Sequence, residues 1–376
     1  MPWSSPPVSD QRLALVHLVR TVGLSVAQAA RRFGVSRKTA HKWLKRHDAD
    51  PAAHLADRSR APRTRPLRTA SGVEQRVVSL RRRYGWGARK LRADLLSQGV
   101  CVPSVRSVHA VLERAGLVNP PPPPAPPPRR FERATPNQLW QIDFKGSAEA
   151  GRRRIEHLTV LDDHSRFLLA LRQVPELSMA AAWEVLWSVF GEAGLPLELL
   201  SDNAFSARRE RPRTVSWFDS RLIRLGITPL HGRPYHPQTQ GKIERLHGTL
   251  ERECYPRARR DTPERFARDC ERWRLLYNNR RPHEAIGDAP PITRWLPSPR
   301  KRPPTLPEVC YPLDAVTRKV STSGDVHYKG YRFIAGQGLA GQAVAVEEHD
   351  RHIVLRYGHL VIRRIPTSTL ATNTLL

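Results

Sequence analysis

Gln138-Leu-Trp-Gln-Ile-Asp-Phe-Lys145 is a short run in which apolar and polar residues alternate from Trp140 onward, with an aspartate near its end. Alternation of this kind predicts a β-strand. Arg154–Leu161 and Arg166–Gln173 read as two more strands, joined by Asp162-Asp-His-Ser165. Ser178–Glu192 reads as a helix with Ala181, Val185, Leu186, Val189 and Phe190 on its core side. Leu197–Ser201 is an apolar run bounded by Pro196 and Asp202, the signature of a short buried strand. Val215–Leu225 then reads as a helix, Ile227–Leu230 as a strand and Arg265–Asn279 as a helix. The order predicts an α/β core, a mixed sheet flanked by helices.

Three acidic residues end or open these elements. Asp143 lies in the opening strand, Asp202 ends Leu197-Glu-Leu-Leu-Ser-Asp202, and Glu244 lies in Gly241-Lys-Ile-Glu-Arg-Leu-His-Gly-Thr-Leu250. The last segment reads as a helix because Ile243, Leu246 and Leu250 recur at helical spacing. Two strand-end carboxylates and one from a helix can converge on hard divalent cations, which take oxygen ligands. A pair of such ions clamps the attacking and leaving oxygens of an in-line phosphoryl displacement. Taken singly, each residue also has a plain reading: a strand-end carboxylate, an Asx-type turn at Ser201-Asp-Asn203, and a helix former.

Trp140-Gln-Ile-Asp143, Leu161-Asp-Asp-His-Ser-Arg166, Ser201-Asp-Asn203 and Arg233-Pro-Tyr-His-Pro-Gln-Thr-Gln-Gly-Lys-Ile-Glu-Arg245 occur in that order. Together they resemble the catalytic core of insertion-sequence DDE transposases of the retroviral-integrase superfamily, over roughly residues 135–295. The resemblance implies a ribonuclease-H-like fold, two Mg²⁺ ions per site (with Mn²⁺ able to substitute) and DNA strand transfer. By match of position it makes Asp143, Asp202 and Glu244 the catalytic metal ligands. Two departures stand out. Ala204 occupies the place after Asp-Asn where glycine is usual. Gly248 and Glu251 stand where basic residues commonly follow the glutamate, so Lys242, Arg245 and His247 are the candidates for DNA contact on that helix. His164, His231, His236 and His247 suit hydrogen bonding or a core role better than coordination, because Mg²⁺ prefers oxygen.

Lys and Arg outnumber Asp and Glu by 63 to 35 over 376 residues, a net charge of +28. Such a field favours a polyanion, since neutralising phosphates releases condensed counterions. No apolar stretch is long enough to span a membrane, and the opening residues lack a secretion-signal pattern. A bacterial cytoplasmic, nucleoid-associated protein is expected. The four cysteines, Cys101, Cys254, Cys270 and Cys310, form no C-x-x-C pair, which supports neither a zinc ribbon nor a disulfide framework.

Five regions are expected. Residues 8–50 read as a helix-turn-helix whose buried set is Val26, Ala29, Ala30, Phe33, Val35, Ala40 and Leu44, with Ser36 capping the third helix. That leaves Arg37, Lys38, Thr39, His41 and Lys42 as groove-reading donors. Residues 70–118 read as a second helix-turn-helix, with Arg106, Ser107 and His109 as groove contacts, or as a purely structural unit. Residues 119–133 form a Pro-rich linker that polyproline geometry keeps extended. Residues 134–298 are the ribonuclease-H-like core. Within it, Ala207-Arg-Arg-Glu-Arg-Pro-Arg213 reads either as a loop gripping phosphates or as a solvated one. Residues 309–366, with alternation in Val326–Ile334, Ala343–Val346 and His352–Tyr357, read as a small β-barrel. Its Lys329, Arg332, Arg351, Arg356, Arg363 and Arg364 either meet DNA or form a solvated basic face.

The function expected is DNA cleavage and strand transfer of an insertion element. Terminal inverted repeats and target DNA are the partners, and a homo-oligomer assembles on DNA because two ends must be joined. The rival reading is a non-catalytic, sequence-specific DNA-binding regulator, a domesticated transposase.

Overall fold

The computed structural model describes residues 7–52, 55–57, 69–118, 132–202, 214–232 and 241–368. Residues 119–131 of the Pro-rich linker, the arginine-rich segment 207–213, Ala204 and the block 233–240 with His236 lie outside the described residues. The chain divides into two compact units, Met1–Arg68 and Thr69–Leu376.

The first unit holds α1 (Val8–Arg20), α2 (Val26–Arg32) and α3 (Arg37–Ala49). Ser25 caps α2 through a capping box with Gln28, and Ser36 accepts from Thr39 N at 3.1 Å to cap α3. Leu15, Ala29, Ala30 and Ala40 close one part of the core; Val16, Trp43, Leu44 and Leu55 close the other. Val35 was expected inside and is 36% exposed, because it follows the left-handed Gly34 and the chain there turns outward. Trp43 takes the space instead, with the Arg12 guanidinium 3.9 Å from its ring centre.

In the second unit α4 (Ser71–Tyr84), α5 (Ala88–Ser97) and α6 (Val105–Arg114) pack around Val77, Trp86, Leu91, Leu95, Val108 and Leu112. A mixed sheet follows, built from β1 (Leu139–Ala150), β2 (Arg153–Asp162), β3 (Leu168–Val174), β4 (Glu198–Ser201) and β5 (Thr228–His231). Its order is β3-β2-β1-β4-β5; the β1–β2 and β2–β3 pairs are antiparallel, β1–β4 and β4–β5 parallel. The pleat sends Trp140 and Ile142 to one face, where they meet α7 (Met179–Ala193) and α8 (Trp217–Arg224). On the opposite face Leu161, Leu168 and Leu171 meet α9 (Gly241–Thr249) and α10 (Pro263–Asn279). This is the ribonuclease-H-like arrangement. Arg166, expected to begin the third strand, sits instead in the preceding turn at φ 63°, and the strand starts at Leu168.

The C-terminal β region contains β6 (Thr317–Lys319), β7 (Asp325–Tyr328), β8 (Tyr331–Ile334), β9 (Ala343–His349), β10 (His352–Tyr357) and β11 (Leu360–Pro366). A four-stranded sheet, β11-β10-β9-β6, and the β7–β8 hairpin share one core around Val326, Phe333, Val344, Leu355 and Tyr357. The run Val326–Ile334 is thus two strands: Lys329 (φ 48°) and Gly330 (φ 80°) make the left-handed turn between them. Val215 and Ile223 belong to the same core, which seats the β region on α8.

Candidate active site

Asp143 stands on β1 opposite Thr159 of β2. Gln141 pairs in parallel with Leu200 of β4, so the same register carried two residues on sets Asp143 beside Asp202. Adjacent strands lie about 4.8 Å apart and side chains in register share a face. That face carries Gln141, Asp143 and Lys145 and looks toward α9, from which Glu244 approaches, exposed. Burial, then the charge of Asp202, then that of Glu244 push the Asp143 carboxyl up to about 7, against opposition from the Phe144 N–H and Lys145. Among the described residues no three His, Cys, Asp or Glu side chains lie close enough to hold a metal ion together. The donor chemistry is nonetheless all carboxylate oxygen, the set a hard divalent cation takes.

The surroundings hold Asp143 in place. Thr159 Oγ1 donates to the Asp143 carbonyl at 3.0 Å and lies 2.8 Å from His247 Nε2. With the hydroxyl proton committed, His247 Nε2 is the donor and its Nδ1 is bare, 3.8 Å from Asp143 Oδ2. Burial and the Lys145 charge hold the His247 pKa down to about 4, so the ring is neutral at physiological pH. His247 was expected to reach DNA; it is turned inward instead. Lys242 is also engaged, as an ion pair with the fully buried Asp163, which also accepts from Gln141 Nε2 at 3.0 Å. Arg245 is exposed on α9.

Lys145 is the residue that sequence reasoning missed. It reaches Glu251 at 2.7 Å, so the acidic residue found where a basic one was expected is answered from β1. The signal was present, since Asp143 and Lys145 are two apart on a strand and share a face. Elsewhere the histidines behave as hydrogen-bonding groups. His164 Nδ1 is 2.8 Å from the Arg133 carbonyl, and His231 lies between Ser201 Oγ (3.2 Å) and Asp219 (3.1 Å).

In the first unit Arg37, Lys38, His41 and Lys42 are exposed along α3, while Thr39 is half-buried with its hydroxyl 2.9 Å from Ser36 Oγ. Arg106 and His109 are exposed on α6 and Ser107 is half-buried. Several basic residues of the C-terminal β region have acidic partners: Lys329 with Glu348 (2.6 Å), Arg332 with Asp325 (2.6 Å) and Arg356 with Glu347 (2.7 Å). Arg363 donates to the Ile334 carbonyl at 2.8 Å.

Models described as an integrase core domain match residues 133–237 and 225–291, and models described as a homeodomain-like domain match residues 6–53 and 39–112. The chain is 22% identical over 341 residues to a putative transposase for insertion sequence element IS5376 of Geobacillus stearothermophilus, covering 87% of this chain and 80% of that protein. It is 27% identical over 280 residues to an uncharacterized 39.2 kDa protein of insertion element IS476 from Xanthomonas euvesicatoria, covering 72% and 78%. A stretch of 115 residues, 31% of this chain, is 33% identical to the Gag-Pro-Pol polyprotein of Simian retrovirus SRV-2, of whose length it spans 6%. No helix among the described residues is long and apolar enough to cross a membrane. The mixed five-stranded sheet, the integrase-core matches over its strands, the homeodomain-like matches ahead of it and the likeness to proteins of two insertion elements together support an insertion-sequence transposase of the integrase superfamily.

Proposed function

We propose that this chain cleaves DNA at the terminal inverted repeats of an insertion element and transfers the freed 3′ ends to target DNA. In this reading Asp143, Asp202 and Glu244 hold Mg²⁺, or Mn²⁺ in its place, as two ions per site. The observation that carries it is the Asp143 carboxyl, half-buried, registered beside Asp202, and raised to about 7 by desolvation and by its carboxylate neighbours. Asp143 beside Asp202 on the sheet, with the Glu244 charge acting on it from α9, is a set of mutually repelling carboxylates, and a cation is what relieves that repulsion. When bound, divalent ions activate a water or a 3′-hydroxyl and stabilise the departing oxygen.

The residues of the chain supply position. The neutral His247 and Thr159 fix the backbone of β1 at Asp143 through hydrogen bonds of 2.8 and 3.0 Å. The Lys242–Asp163 pair ties the first turn of α9, which carries Glu244, to the β2–β3 turn. Exposed cations on α3 meet the duplex, and joining two ends calls for at least two copies assembled on DNA. A bacterial cytoplasmic, nucleoid-associated setting follows from that partner.

Replacing Asp143 or Asp202 with Asn, or Glu244 with Gln, is expected to abolish strand cleavage and transfer in Mg²⁺ while leaving DNA binding nearly intact. An Asp202→Asn protein that still joins a pre-cut donor end to plasmid DNA overturns the assignment. Full DNA binding by a wild-type chain that never cuts favours the regulator reading instead.

A further inference from the structure

The second helix-turn-helix module is bolted to the catalytic core. Arg280, just past α10, grips Asp94 of α5 with two bonds of 2.8 and 3.0 Å and donates to the Tyr84 hydroxyl at 3.2 Å. Asp94 is 1% exposed, so this pair is shielded from solvent on the carboxylate side. A second junction forms at Glu253. Arg281 donates to both of its oxygens at 2.7 Å, and Trp86 Nε1 and Lys90 Nζ reach it from the helical module at 3.3 and 3.4 Å. Leu276 of α10 adds apolar contact by packing against the module's core.

Two features give this docking a consequence. Glu253 lies on the wider turn Leu250–Cys254 that directly continues α9, the helix that carries Glu244. The module is thereby fastened to the same helical segment as a candidate catalytic carboxylate. In addition, all these bonds come from the segment Tyr84–Asp94, whereas α6 supplies none of them and keeps Arg106 and His109 exposed. Helix α6, with its exposed Arg106 and His109, is left open while its support is fixed.

We propose that this module is a ruler: by holding α6 at a constant distance from Asp143, the Asp94–Arg280 and Glu253 junctions select which phosphate is cut. The inference rests on the proposed strand-cleaving function. Asp94, Arg280, Trp86, Lys90 and Glu253 are positioning residues, acting through the geometry of α6 rather than on the reacting atoms.

The test uses the full chain and a linear duplex made from the DNA that flanks its gene, with cleavage mapped to the nucleotide. The double variant Asp94→Asn with Arg280→Gln removes both charges at once, so neither remains buried and unpaired. Amide hydrogen exchange across Tyr84–Asp94 reports whether the module has come loose. The expected result is faster exchange there, an unchanged footprint on the duplex, and cuts spread over neighbouring phosphates where the wild type gives one. Retained slow exchange overturns the clamp, and a single unshifted cut despite fast exchange overturns the ruler. Loss of every cut with the footprint intact overturns it as well. A second measurement needs no variant. When one or two base pairs are inserted between the footprint and the cut, the wild-type cut should keep its distance from the footprint; a cut that stays at the original terminal phosphate refutes the proposal. No cleavage by the wild-type chain on any duplex is a different outcome, the failure of the functional reading itself.

Discussion

Lowering the pH from 8 to 5 should destabilise the core, and the part due to His283 can be isolated. His283 lies just past α10, its ring edge-on to Tyr277, with Nδ1 accepting from Ala285 N at 3.3 Å. Burial, and then the charges of Arg281, Arg166, Lys90 and Arg245, hold its pKa down to about 3 from an ordinary 6.5. The folded-state value is depressed, so the contribution is complete above pH 6.5 and is lost as pH falls toward the folded pKa, because the unfolded chain takes up the proton first. At pH 5 the unfolded histidine is one and a half units below its pKa and the folded one is still neutral. At about 1.36 kcal/mol per unit that is about 2 kcal/mol of lost stability. The assay is denaturant unfolding followed by tryptophan fluorescence at pH 8 and pH 5, on the wild type and on His283→Asn. Asparagine offers an oxygen near the Nδ1 position and does not titrate. Other histidines, including His247 with its pKa near 4, are common to both proteins and cancel in the difference. The wild type should lose about 2 kcal/mol more than the variant between the two pH values. Parallel losses in the two proteins would show that His283 is not held neutral and that the cationic ring around it is screened.

Three further outcomes follow from the packing. Gly338→Ala should destabilise the chain by about 1–3 kcal/mol in thermal unfolding, because a Cβ there meets the Ser216 backbone at 2.1 Å, where the β region seats on α8; an unchanged melting temperature would mean that the two surfaces separate freely. Lys242→Met leaves the buried Asp163 without its cation and should cost on the order of 2 kcal/mol, less than a fully buried pair because the lysine is partly wetted; a variant of wild-type stability with weakened DNA binding would return Lys242 to the role of a DNA contact. Arg37→Ala combined with Lys38→Ala should weaken duplex binding and flatten the log–log salt dependence by roughly 1.8 if both neutralise phosphates, and an unchanged slope measured by fluorescence anisotropy removes them from the interface.

Periodicity made most of the core legible. A strand that alternates, or a helix with Ile243, Leu246 and Leu250 in step, reports its own buried face, and the strands of the sheet lie within two residues of their expected bounds except β1, which was expected to end at Lys145 and continues to Ala150. The helix-turn-helix at the start was legible for the same reason, reinforced by Ser36, whose side chain does cap α3. Local strain was not legible. Arg166 in a left-handed turn and the shift of register between Lys145 and Ala148 depend on how β2 pairs with both neighbours, which no single segment encodes. Ion pairs were the least legible. The expected helix Arg265–Asn279 says nothing of what its end binds, yet Asn278 brackets Leu168 with two backbone bonds of 2.8 and 2.9 Å, and Arg280 and Arg281 hold partners far away in sequence, Asp94 in one case. Lys242 and His247, read from the sequence as candidates for DNA contact, are a further case: their partners Asp163 and Thr159 lie some eighty residues earlier in the chain, out of sight of α9 alone.

That blindness bears on how the net charge should be understood. A surplus of 63 basic over 35 acidic residues suggests a surface uniformly ready for phosphate. Many of the arginines are nevertheless committed to structure. Arg281 and Arg166 are buried, Arg274 is bonded to Glu271 and to the Leu168 carbonyl, and in the β region Arg332 and Arg356 have carboxylate partners. An arginine already forked onto a carboxylate must give up those bonds to grip a phosphate, and the exchange yields little net free energy. Cations that stand exposed on a helix with a groove-reading geometry have no such cost. On this ground α3, with Arg37, Lys38, His41 and Lys42 exposed, is expected to carry more of the proposed affinity for DNA than the β region does. The steep salt dependence expected from the whole-chain charge should accordingly track substitutions on α3 far more than those at Lys329, Arg332 or Arg356.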